Sequence, residues 1–263
     1  MVRRSVTYLR IIARQTPSIS RPVAIPRLYC PFPLADAVQV VLAPDAAHHA
    51  AKVLRLRRGD EAVLFDGGGG EYAASIHHVG RDGVLVDVGR HRAEDRESPL
   101  RICLAQGLAT GDKMDTILQK AVELGVTAFQ PLLTQKSVVK LTDERAERRA
   151  LHWQQVVIAA CEQCGRNRLP EVRPLQQFDA WVVAQAGTRL LLMPDATTRL
   201  AALPRPTDEV TLLAGPESGF SAAETQLAPA SGFTPVRLGP RVLRTETAGL
   251  AALAAIQTLW GDF

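Results

Sequence analysis

Two short segments near the C-terminus constrain this chain more than any other part of it. They are Gly215-Pro216-Glu217-Ser218-Gly219-Phe220-Ser221 and Leu238-Gly239-Pro240-Arg241-Val242-Leu243-Arg244-Thr245-Glu246-Thr247. Each follows a short apolar run that reads as a buried strand, at 210–213 and 235–238, and each precedes a helix start. Glycine and proline at a strand end let the backbone turn sharply and approach a ligand closely. Two such turns on strands of one sheet place a ligand site at the strand ends.

The rhythm leading up to them is alternating strand and helix. The run 100–105 is apolar, and Met114, Ile117, Leu118, Ala121 and Val122 then share one helical face. Asp112 is positioned as its N-cap and Gly125 as its C′ residue. A strand is expected over 126–133 and a long helix from about 142 to 164, stopped by Gly165. Another strand follows at 190–193, Ser221 and Glu224 form a capping box, and an alanine-rich helix is expected over 246–260. The expected architecture is α/β, with a mostly parallel sheet covered on both faces. Residues 26–92 read differently, as a small β meander with a short helix over 46–56. Gly67–Gly70 sit between two of its strands and supply hairpin turns; no Lys-Ser/Thr follows to make a phosphate cradle. The charged stretch 93–99 is placed as the domain boundary.

At 263 residues the chain can bury a large core without staples. Its net charge of +4 comes from the leader: residues 1–25 hold five arginines and no acid, and taking those five from the 31 basic residues leaves 26 against 27 acidic ones. A nucleic-acid reading therefore needs a local patch rather than global charge. The leader reads as an unstructured tail or the product of an upstream start, and is set outside the fold. No apolar run reaches the roughly 20 residues of a membrane span. Four cysteines form no dense framework, which points to a reducing, cytoplasmic setting. Cys161-x-x-Cys164 closes a helix rather than opening one and lacks a second ligand pair, so neither a metal site nor a redox pair is expected.

Several chemistries are disfavoured. There is no Walker A sequence, no H-E-x-x-H and no G-x-S-x-G. The dinucleotide fingerprint G-x-G-x-x-G is also missing after the first strand of the α/β half. What remains is C-terminal: loop backbone suited to an adenosine-like ligand, with Glu217, Arg241, Arg244, Glu246 and Thr247 around it. Arginine suits a helix N-terminus poorly, because the dipole there favours anions, so Arg244 stands out as functional.

At these loops the chain resembles the 16S ribosomal RNA uridine-N3 methyltransferase family (RsmE) of the SPOUT superfamily. Residues 215–221 match its Gly-Pro-Glu-Gly-Gly-Phe-Ser pattern except at Ser218, and 238–248 match Leu-Gly-x-Arg-x-Leu-Arg-x-Glu-Thr-Ala. Lys113-Met114-Asp115, Gln119–Gly125, Glu162–Arg166, His48-His49, Val53-Leu54-Arg55 and Gly59-Asp60 also fit, in order, from about residue 26 onward. The resemblance implies a PUA-like RNA-binding β-barrel over 26–96 and a SPOUT trefoil-knot domain over 97–263. It implies S-adenosyl-L-methionine held by Met193, Pro194, Gly215, Pro216, Glu217, Gly219, Leu238, Gly239, Val242, Leu243, Thr247 and Ala248. It further implies a homodimer acting on 16S rRNA of the 30S subunit, with no metal and no membrane. Ser218 is harmless if its φ is negative and strained otherwise.

In that setting Arg244 or Arg166 would stabilise charge on the uracil carbonyls, and Glu217 or Glu246 would take the N3 proton. The RNA patch is expected at Arg27, His49, Lys52, Arg55, Arg57 and Arg58, joined by Lys136 and Arg166. Two competing functions are a SPOUT enzyme modifying another RNA position and a non-catalytic RNA-binding assembly factor.

Overall fold

The computed structural model describes residues 25–137 and 143–263; the expected leader lies outside them, apart from Ile25. The first unit contains β1 (Arg27–Tyr29), β2 (Gln39–Val41), α1 (Pro44–His48), β3 (Glu61–Phe65), β4 (Glu71–Gly80) and β5 (Gly83–Arg92). They form a five-stranded sheet in the order β1-β3-β4-β5-β2, parallel between β1 and β3 and otherwise antiparallel. Period-2 alternation turns Val84 and Val86 of β5 inward against Leu28, Leu64 and Ile76. The expected helix over 46–56 is instead the five residues of α1 followed by a π-type turn over His49–Val53. It closes through Leu56 N–H to Ala50 O (2.9 Å), with Arg55 at φ +57°, a left-handed conformation unusual outside glycine. Of the four glycines between β3 and β4, Gly67, Gly69 and Gly70 have positive φ, as a tight connection demands.

The second unit runs β6 (Ile102–Gly107), α2 (Lys113–Glu123), β7 (Ala128–Leu133), α3 (Asp143–Cys164), β8 (Glu171–Val172), β9 (Gln176–Gln177), α4 (Phe178–Val182), β10 (Thr188–Leu192), β11 (Val210–Ala214), α5 (Ala222–Ala230), β12 (Thr234–Val236) and α6 (Thr245–Trp260). Its sheet is parallel throughout, ordered β12-β10-β11-β6-β7-β8, with β9 also on β7. Successive residues face opposite sides. Leu104, Leu190 and Leu212 meet α2, α3 and α6, whereas Ala105, Leu191 and Leu213 meet Phe178, Trp181, Ala228 and Phe233.

Local signals shape several ends. The helix α2 buries the five residues its periodicity predicts. It closes in a Schellman motif, with Gly125 at φ +79°, Gly125 N–H to Val122 O (3.1 Å) and Val126 N–H to Ala121 O (3.0 Å). Asp112 occupies the N-cap without a side-chain cap bond. Ser221 and Glu224 make both bonds of the expected capping box. The last helix begins at Thr245, one residue before the expected start.

The chain does not lay these strands down in sequence. β12 joins on the far side of β10 from β11, and the stretch after β12 runs alongside the stretch after β10. Met193 N–H donates to Val236 O (3.0 Å) and Arg237 N–H to Thr198 O (3.0 Å). The connections following β10, β11 and β12 therefore converge at one end of the sheet.

Candidate cofactor and RNA site

A cleft of about 460 Å³ opens where those connections meet. Leu192, Met193 and Pro194 come from the end of β10, and Gly215, Pro216, Glu217 and Gly219 from the turn after β11. Leu238, Gly239, Val242 and Leu243 follow β12, and Thr245, Glu246 and Ala248 open α6. Close packing sets the first turn: a Cβ on Gly107 would lie 2.5 Å from Pro216 Cδ. Gly219 has φ +66°, and the free volume around it leaves its backbone uncovered. Ser218 is not among the positive-φ residues, so the replaced glycine brings no strain; its Oγ donates to Lys136 O (2.7 Å). Lys136 Nζ in turn donates to Phe220 O (2.9 Å), which braces the turn from β7's side.

Glu217 is anchored from the opposite wall. Its Oε1 accepts from Thr110 N–H (2.9 Å), Thr110 Oγ1 (2.6 Å) and Lys113 Nζ (2.9 Å). Partial burial would raise its pKa, but these bonds outweigh it and hold the carboxyl at about 2. Such a carboxylate is a poor proton acceptor, so the structure argues against Glu217 as general base and gives it a bracing role.

Arg244 is the N-cap of α6, exposed, and caps with its backbone carbonyl only, which accepts from Thr247 and Ala248 N–H. Its guanidinium is thus uncommitted to the helix. Glu246, two residues further on, lines the same cleft, and its Oε2 is buried with no hydrogen-bond partner among the described residues.

Three expected site residues lie elsewhere. Thr247 is exposed and outside the cleft, while Thr245, two residues and about 200° away around the helix, faces it. Arg166 is buried. It donates to Glu97 and to the carbonyls of Val122 (2.9 Å) and Val126 (2.8 Å), so it serves the junction between the units and reaches neither cleft nor surface. Arg27 is likewise tied to Glu71 (2.5 Å) and Asn167 and stacks over Phe65, 5.1 Å from the ring centre. Both were expected as exposed cations, and both are spent on the junction instead. Of the remaining patch, Lys52, Arg55, Arg57 and Arg58 are exposed on the first unit and His49 is half-buried. Thr110, Lys113, Phe220 and Thr245 belong to the site and were not singled out for it. Lys113 carried a signal, since it stands in the Lys-Met-Asp stretch of the family pattern.

Cys161 is packed into the core, and burial pushes its thiol up to about 12 against the pull of Arg166. Among the described residues no three His, Cys, Asp or Glu side chains gather as a metal site, and no helix is long and apolar enough to cross a membrane.

A parallel sheet with converging crossed connections, a cleft on their backbones, and a β unit in front define a SPOUT trefoil-knot RNA methyltransferase with an N-terminal PUA-like barrel. Comparison with known proteins agrees. Residues 96–257 match the RNA methyltransferase domain family, and 42–89 match the RNA methyltransferase PUA domain. The ribosomal RNA small subunit methyltransferase E of Buchnera aphidicola from Schizaphis graminum is 33% identical, over 90% of this chain and 98% of its own. That of Bacillus subtilis is 34% identical, over 81% and 87%. Among solved structures, a Legionella pneumophila methyltransferase in complex with SAM superposes with a TM-score of 0.89 at 39% identity, covering 92% of this chain and all of its own. A Neisseria gonorrhoeae ribosomal RNA small subunit methyltransferase E bound to S-adenosyl methionine gives 0.85 at 39%, covering 91% and 99%. The chain belongs to the ribosomal RNA small subunit methyltransferase E family.

Proposed function

We propose that this chain methylates N3 of a uridine in 16S ribosomal RNA of the small subunit, using S-adenosyl-L-methionine bound in the cleft. The observation that carries the reading is the pairing, on one turn of α6, of an uncommitted guanidinium at Arg244 with an unpartnered buried oxygen at Glu246.

The cleft's own residues fit the cofactor. Its accessible lining is mostly apolar, its rim is backbone of two glycine-bearing turns, and its volume is within the range of small-molecule sites. Met193, Pro194, Gly215, Pro216, Gly219, Leu238, Gly239, Val242, Leu243 and Ala248 would hold it, with Glu217 bracing the first turn. When bound, S-adenosylmethionine supplies an electrophilic methyl group on a sulfonium.

The chain's task is to present the nucleophile. Uridine N3 carries a proton at neutral pH, and its removal spreads charge onto the two flanking carbonyl oxygens. Glu246 Oε2 accepts that proton: it is buried at the cleft with no hydrogen-bond partner among the described residues. The Arg244 guanidinium stabilises the charge on the carbonyls, in the manner of an oxyanion-hole donor. The target base must stand clear of its stack, in a loop or flipped out.

The domains are assigned as 26–96 for RNA docking and 97–263 for transfer, with Lys52, Arg55, Arg57 and Arg58 meeting phosphates. A second copy completes the assembly. Val242, at 79% exposure on the cleft's rim, and Leu259, at 43% near the far end of α6, present apolar surface that a homodimer would cover. The enzyme works in the cytoplasm, where its subunit substrate is found.

Isolated 30S subunits lacking the modification, incubated with the protein and methyl-labelled S-adenosylmethionine, test the reading. Nucleoside mass spectrometry should find 3-methyluridine in 16S RNA. Label on ribose, on another base, or absent would overturn it.

A further inference from the structure

Gln106, the next-to-last residue of β6, sits beneath the cleft without lining it. The residue is 2% exposed, and its Nε2 lies 3.0 Å from each of three acceptors: the carbonyls of Gly107 and Gly215 and the Thr245 hydroxyl. The Thr245 hydroxyl in turn donates a hydrogen bond to Gly215 O at 2.6 Å. The two amide protons are shared among these three acceptors, and a triangle closes between Gln106, Thr245 and Gly215, with Thr245 donating to Gly215. The amide can face only this way, because both carbonyls are pure acceptors. Its oxygen, on the other side, has no partner among the described residues. A carboxamide at 2% exposure, paired with Ala214 and on the same strand face as Leu104, with one atom unsatisfied is unfavourable for stability, so what it holds together needs another reason.

What it holds together are the two cofactor turns. Gly215 starts the turn after β11, and Thr245 starts α6 behind Arg244 and Glu246. Gly107 lets the clasp close by admitting Pro216, and at Gly249 a Cβ would stand in ordinary contact, 3.4 Å from Leu104 and 3.7 Å from Gln106 Oε1. α6 therefore lies directly over the clasp.

We propose that Gln106 is a positioning residue for the methyl-donor cleft, clasping the Gly215 carbonyl and the Thr245 hydroxyl so that both cofactor turns are in register before the cofactor arrives. The proposal rests on the placement of the cofactor in this cleft. Its physical content is preorganisation: turns already fixed lose less freedom on binding. A neighbouring glutamine supplies the internal comparison. Gln130 on β7 donates to Pro131 O (3.0 Å) and Pro174 O (2.8 Å), also with an unpartnered Oε1, yet touches neither cofactor turn.

The test compares Gln106→Met, which keeps length and removes both donors, with Gln130→Met. Cofactor Kd is read by calorimetry, with KM for S-adenosylmethionine, kcat on 30S subunits and Tm measured alongside. Gln106→Met should weaken cofactor binding about ten- to hundredfold and raise KM in step, with kcat at saturating cofactor within about threefold of wild type. Gln130→Met should lower Tm and leave Kd within about twofold. Thr245→Val reads the same clasp from its other end should Gln106→Met fail to fold. It should weaken binding similarly, Thr245→Ser should restore it, and the double variant should be less than additive. Wild-type affinity in both Gln106→Met and Thr245→Val, or equal weakening in Gln106→Met and Gln130→Met, would overturn the clasp. Gly219→Val separates the two levels. Loss of binding there with normal binding in the clasp variants refutes the clasp alone; normal binding in Gly219→Val refutes the cofactor placement and the clasp with it.

Discussion

Lys113 Nζ at the start of α2 and Glu217 Oε1 in the turn after β11 lie 2.9 Å apart, and through this pair a helix on one face of the sheet holds a cofactor turn at its edge. Thr110 adds two more bonds to the same oxygen. The turn is therefore secured by charge as well as by the packing of Pro216 against Gly107.

The pair makes the turn acid-sensitive. Glu217 ordinarily titrates near 4.5 and is held at about 2, so its contribution is fully present above pH 4.5 and is lost as pH falls toward 2. Glu217→Gln should remove that part of the acid dependence and weaken cofactor binding at neutral pH. Thermal melts of both proteins between pH 2 and 7 check this.

Arg244→Ala should lower kcat by about 10²–10³ and leave cofactor Kd nearly unchanged. Because Arg244 caps α6 only through its carbonyl, the helix should keep its stability. Single-turnover methylation with saturating cofactor separates these effects, and wild-type turnover would remove Arg244 from the chemistry.

Gly107→Ala places a methyl 2.5 Å from Pro216 and must displace the turn. It should weaken cofactor binding at least tenfold with a modest loss of stability, read by calorimetry and Tm.

Arg27→Ala should destabilise the protein by about 1.5–3 kcal/mol, since it strips the nearest counter-charge from Glu71, whose side chain is 4% exposed, while Arg92 and Arg96 stay beside it. Burial alone would raise the Glu71 pKa, but Arg27, Asn167 and Arg96 lower it. The variant should raise KM for the 30S subunit more than KM for cofactor, because the junction sets the first unit against the second. Urea unfolding and steady-state kinetics test the two parts.

Replacing Lys52, Arg57 and Arg58 together by Ala should flatten the salt dependence of RNA binding by about 2–3 units of slope and leave Arg244-dependent chemistry intact. Filter binding across a salt series reads the slope; an unchanged slope would remove the patch.

How much of this was legible beforehand follows the range of the interactions. The buried face of α2, the Schellman close at Gly125 and the capping box at Ser221 lie within a few residues of sequence, and local pattern is enough to find them. The short helix Phe178–Val182 went unread because five residues without a side-chain cap carry little periodicity. Arg27 and Arg166 read as free cations because their partners Glu71 and Glu97 lie 44 and 69 residues away, a distance across which charge pairing leaves no local trace. The resemblance placed Thr247 at the cofactor, whereas Thr245 faces the cleft, because two residues on a helix point about 200° apart. Gln106 showed only as one polar residue closing an apolar run; its meaning depends on Gly215 and Thr245, 109 and 139 residues further on.

The most direct test of the central claim is a crystal structure with S-adenosylmethionine bound. Density is expected against the backbones of 215–219 and 238–243, beside Arg244 and Glu246. Density lodged at any other place on the chain, with this cleft left empty, would contradict it.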